Sequence, residues 1–68
     1  MRTYGKIIEY DGLCGTILTE DGIECLCLKK DFKYNEIKIG DVVSFIMEKV
    51  TNPTDTKMVA YFIEKVEM

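Results

Sequence analysis

The rhythm of its turn signals constrains this chain most. Short runs rich in β-branched and aromatic residues are broken every ten or so positions by Gly, Asp or Asn, across only 68 residues. Helical i, i+3, i+4 stripes are hard to find. Several short strands at such spacing read as a small sandwich or barrel. The expected strands run from Thr3 to Asp11, Cys14 to Thr19, Ile23 to Leu28, Val42 to Val50 and Met58 to Val66. Gly12 ends the first, Glu20-Asp21-Gly22 joins the second to the third, and Gly40-Asp41 introduces the fourth. Thr51 to Lys57 reads as a loop by composition. The polar stretch from Lys29 to Lys38 has room for one helical turn. Five strands in an open sheet would leave long apolar edges, so closure into a barrel is expected.

A chain of this length makes a single domain, residues 1–68, and buries only ~60% of the surface its unfolded form exposes. Apolar residues are 47% of it, enough for a thin core and unlike the composition of a disordered chain. No apolar run approaches the ~20 residues that span a bilayer, and Met1-Arg2-Thr3-Tyr4-Gly5-Lys6 has no apolar leader stretch. A cytoplasmic protein with no membrane partner is expected. Three cysteines, an odd number, fit reduced thiols better than a disulfide framework.

The hairpin around Asp21-Gly22 decides which side chains face outward. Asp-Gly between apolar runs is a strong hairpin signal, but it leaves two registers open. A two-residue turn pairs Ile17 with Leu26. A three-residue loop, with Gly22 left-handed in a bulge, pairs Ile17 with Cys25 and Thr16 with Leu26. One such slip moves every side chain of the strand to the opposite face, and periodicity does not choose between them.

Taken in order, Gly5-Lys6-Ile7, Gly15-Thr16-Ile17, Asp21-Gly22, Ile39-Gly40-Asp41-Val42-Val43-Ser44-Phe45 and the Val59-Ala60 region resemble the bacterial cold-shock proteins. The resemblance spans nearly the whole chain, with the first loop and the lysine-rich linker each a few residues shorter. It implies an all-β fold, a five-stranded antiparallel OB-type barrel, and binding of single-stranded DNA or RNA. It also favours the three-residue hairpin, with Ile17, Ile23, Cys25 and Cys27 in the core and Cys14, Thr16, Glu24, Leu26 and Leu28 outside. Ile7, Val43, Phe45 and Ile63 join the expected core.

The departures from that family bear on function. Its members bind through exposed aromatics on the second and third strands, because a base stacked on an aromatic ring is worth ~1–3 kcal/mol whatever the base. Here Cys14 and Thr16 stand where two aromatics belong, and Leu26, Leu28 and Lys29 replace Phe, His and Phe. Glu9 occupies the position of the family's exposed Trp and would repel phosphates. Lys6 matches a family lysine, Tyr34 lies near a loop phenylalanine used for stacking, and Tyr10 sits beside the binding face. Lys29, Lys30, Lys33 and Lys38 fall within ten residues and could meet phosphates. Weak binding, without strong sequence preference, is the expectation. A protein partner or a second copy is the alternative, docking on Leu26 and Leu28 with Ile8, Leu18 and Cys14.

Catalysis is not expected. The chain has no His, the commonest general base and metal ligand. No pair of carboxylates shares an obvious face. Cys25 and Cys27, two apart on one strand, stand ~7 Å from each other, and three cysteines fall short of the four ligands of a structural zinc. They read as small core residues. Gly12 and Gly15 lack the spacing and the following helix of a phosphate loop. No cofactor, metal or catalytic residue is expected.

Overall fold

The computed structural model describes residues 2–67. Five strands, β1 (Thr3–Tyr10), β2 (Cys14–Thr19), β3 (Glu24–Leu28), β4 (Val42–Thr51) and β5 (Thr56–Lys65), surround the interior, with one 3-10 turn at Lys29–Asp31. They close in the order β1-β2-β3-β5-β4, and β4 returns to β1. This is a small closed barrel of the OB type. Four of its pairings are antiparallel, while β3 meets β5 in parallel through Leu26↔Val59 and Cys27↔Ala60. The parallel seam is a geometric necessity, since strict alternation of direction cannot close around an odd number of strands. In that detail the barrel departs from an all-antiparallel expectation.

The central hairpin takes the three-residue loop. Gly22 has φ +84°, a conformation that costs glycine little and other residues more. Its N–H donates to the Thr19 carbonyl (3.0 Å), while the Ile23 N–H donates to Thr19 Oγ1 (3.0 Å). The register is Ile17↔Cys25 and Thr16↔Leu26. Ile7, Ile17, Cys25, Cys27, Val43, Phe45 and Ile63 consequently point inward and are fully buried. Phe32 and Ala60 complete the core.

Ile23 is a correction, being 37% exposed rather than part of the core. It lies beyond the first residue of β3, paired with Thr19 at the hairpin end, where the interior opens to solvent. Its parity matches Cys25 and Cys27, but its depth does not. The β4–β5 connection is also tighter than composition suggests. Thr51 pairs with Thr56, and Asn52 and Asp55 exchange backbone hydrogen bonds across the turn. Solvent-facing strand ends are polar and so resemble loop in sequence.

Two bulges re-aim side chains. In β1 the register passes from Ile7↔Ile17 to Glu9↔Thr16, so Ile8 is an extra residue. Strict alternation would put Glu9 on the inner side with Ile7; the bulge keeps it exposed and turns Tyr10 toward the core. Between β4 and β5 the register passes from Ser44↔Glu64 to Ile46↔Tyr61, which sets Phe62 and Ile63 against Phe45 alone. Ile63 takes the buried place and Phe62 is left outside.

Candidate nucleic-acid interface

The outer face of β1, β2 and β3 carries Glu9, Cys14, Thr16, Leu26 and Leu28. Cross-strand pairing places Thr16 between Glu9 and Leu26, and Cys14 opposite Leu28. Thr16, Leu26 and Leu28 are half-buried, and Leu26 continues to Val59 across the parallel seam. An open concavity of about 470 Å³ lies here, bounded by Ile8, Glu9, Thr16, Leu26 and Ile39, with Asp11 on its rim. Backbone N–H groups of Cys14 and Leu13 both donate to Asp11 Oδ1 at 2.9 Å and hold its carboxyl below the usual carboxylate range. The concavity thus presents Ile8, Leu26 and Ile39 beside Tyr10 and is edged by two carboxylates, while Tyr4, 51% exposed, is an open aromatic further along the outer face of β1.

Tyr10 and Tyr34 are both turned to internal packing. Each meets the Phe32 ring edge-on, with centroids 5.7 and 5.6 Å apart, a favoured aromatic geometry. Tyr34 also donates its hydroxyl to Asp41 Oδ2 (3.0 Å), an oxygen that accepts the Lys38 N–H as well. Burial pushes the Tyr34 phenol pKa up strongly, and the Asp41 carboxylate adds to the rise. Lys6 is exposed, standing between Leu18 and Val42 on the neighbouring strands. It lines a shallow apolar depression with Tyr4, Ile8 and Leu18.

Three further lysines sit on the segment that follows β3. After β3 the chain makes its 3-10 turn and runs along β5. Phe32 bridges to Ile63, the Lys33 N–H donates to the Ile63 carbonyl (2.8 Å), and the Lys29 N–H to the Leu13 carbonyl (2.9 Å). Lys29, Lys30 and Lys33 are therefore exposed side chains on a backbone fixed at both ends. Lys29 and Lys33 form no ion pair among the described residues, and Lys30 reaches only Asp31 at 3.7 Å.

Beside this ridge stands a residue the sequence reading passed over. Phe62 is 56% exposed, and the Lys33 ammonium lies 5.1 Å from the centre of its ring. The available signal was the run Tyr61-Phe62-Ile63, three bulky apolar residues where a strand with one wet face should alternate.

Cys25 and Cys27 are buried, and burial raises both thiol pKa values, that of Cys27 to about 11. Among the described residues no group of His, Cys, Asp and Glu side chains is arranged to hold a metal ion, and no helix is long and apolar enough to cross a membrane. Neither a protein-family profile nor a curated protein matches this chain.

Proposed function

We propose that this barrel binds single-stranded nucleic acid weakly and without marked base preference, through phosphate contacts along the ridge of Lys29, Lys30 and Lys33. One observation carries the reading. These three lysines sit exposed on a segment that backbone hydrogen bonds fix against β5 of an OB-type barrel. The resemblance to cold-shock proteins supports the ligand class, while fold alone would not. The acidic edge of the β1–β3 concavity directs a polyanion toward the ridge instead. With the family's stacking positions aliphatic, charge dominates, and dissociation constants in the micromolar range or weaker follow.

The test is fluorescence anisotropy with a labelled oligothymidine over a series of salt concentrations. Three or four phosphate contacts on a single strand give a log–log slope of about −2 to −3. Binding that ignores salt, or nanomolar affinity at physiological salt, would count against the reading.

A protein partner is the second reading, favoured by the outer apolar surface. The depression containing Tyr4, Leu18 and Val42 meets the β1–β3 concavity at Ile8, so one apolar strip crosses three strands and reaches Leu26. Contiguous patches of this kind commonly mark interaction sites. Sedimentation at rising concentration, for the natural chain and for Leu26→Ser/Leu28→Ser, separates a homodimer from a monomer. A monomer throughout leaves only a different protein partner for that strip.

A further inference from the structure

Phe62 poses a problem that packing does not solve. Its φ of +52° makes it the only non-glycine residue with positive φ among those described. At this kind of bulge the left-handed position ordinarily belongs to glycine, and bulky residues there are strained. The ring gains little from the core in return, since Phe62 is absent from the buried cluster and more than half of it meets solvent. The barrel holds the conformation in place. Arg2 donates from Nε to Ser44 Oγ (3.0 Å) and from Nη2 to the Ser44 carbonyl (2.7 Å) and the Phe62 carbonyl, one of the acceptors at the bulge. Strain that persists because its surroundings enforce it is a reason to look for function.

The neighbours indicate what an exposed aromatic ring there could meet. Lys33 lies over the ring, and it follows Lys29 and Lys30 on the segment that leaves the 3-10 turn and runs along β5. An exposed aromatic plane beside a row of ammonium groups is the pairing that takes a base and its adjoining phosphates, base on ring and phosphate on lysine. We infer that Phe62 is a base-stacking platform for single-stranded nucleic acid, so that the strand runs along β5 and the lysine ridge rather than over the outer face of β1–β3. The inference rests on the nucleic-acid reading and deepens it by moving the stacking group to another side of the barrel.

Two variants test it. The chain contains no Trp, so Phe62→Trp introduces a single tryptophan at the platform, excited apart from the tyrosines at the red edge of their absorption. Stacking on thymine should quench it along the same isotherm that anisotropy follows. Phe62→Asn removes the ring but tolerates the left-handed backbone. It should unfold at a temperature no lower than the natural chain does, bind oligothymidine about 5- to 150-fold more weakly, and keep the salt slope. No binding by the natural chain at low salt overturns the nucleic-acid reading itself. Binding that Phe62→Asn leaves intact, or Phe62→Trp emission unchanged at saturation, overturns the stacking platform alone. Should Phe62→Asn fail to fold, the quenching experiment still decides.

Discussion

Replacing Gly15 by alanine probes the geometry on which the outer face depends. Gly15 pairs with Tyr10 just past the β1 bulge. A Cβ on Gly15 would press into the Glu9 carbonyl oxygen and sit 2.9 Å from Tyr10 Cα and 3.0 Å from the Glu9 carbonyl carbon. All three are backbone atoms and cannot rotate away, so β1 must move from β2 where Glu9 and Tyr10 are aimed. Losing two or three ladder hydrogen bonds costs ~1 kcal/mol each, and overpacking adds roughly 1–3 kcal/mol. A total of about 3–6 kcal/mol compares with a whole-domain stability of about 3–10 kcal/mol for a chain this size. Urea unfolding followed by far-UV circular dichroism should show Gly15→Ala largely unfolded, or its midpoint displaced by molar amounts. Gly22→Ala has open space around the new Cβ and carries only the left-handed backbone cost, ~1–2 kcal/mol. A Gly15→Ala midpoint within about 0.5 M of the natural chain, at an m of ~1 kcal/mol per M, would mean that β1 and β2 do not approach so closely and that the bulge is misplaced.

Further expectations follow from the same side chains. Thr16→Phe restores an aromatic to the outer face of β2 and should leave oligothymidine binding within about 2-fold, because the strand runs along β5 instead; a gain of about 5-fold or more in a titration at fixed salt would mean that strands visit this face. Alkylation with iodoacetamide at pH 8 should label Cys14 alone in the folded protein and all three cysteines in denaturant, because Cys27 is buried with its thiol near 11. Rapid native labelling of Cys25 or Cys27, read by mass spectrometry, would contradict the burial. The raised phenol of Tyr34 contributes stability that is complete below the ordinary tyrosine value, ~10, and is lost as pH climbs through the higher folded value. Tyr34→Phe should therefore be less stable at pH 7 by roughly 1.5–3 kcal/mol, for a lost hydrogen bond to a charged group. Its denaturation midpoint should also fall less steeply above pH 10.

The central hairpin and the core were legible because both are governed locally. Asp21-Gly22 marks the turn, and six inward residues on the first four strands follow from alternation once the register is chosen. Ile23 has the right parity but lies past the barrel rim, and a rim is set by where other strands end. Tyr10 and Tyr34 could be read as edge aromatics in sequence, but their common partner Phe32 is positioned by its bridge to Ile63, far along the chain. Phe62 was hidden for a related reason. Its exposure depends on counting residues across β4 and β5, where two on one strand oppose one on the other. The lysine cluster was visible as composition, whereas its place beside Phe62 required the fold.

The most direct measurement is an amide chemical-shift titration of the ¹⁵N-labelled protein with oligothymidine at low salt. The expected perturbations concentrate on Lys29 to Tyr34 and on Phe62 to Glu64, grow with saturation, and fade as salt is added. Shifts confined to Tyr4, Leu18, Val42 and Leu26 that appear when the protein alone is concentrated, with no response to the oligonucleotide, would contradict nucleic-acid binding and assign the working surface to protein association.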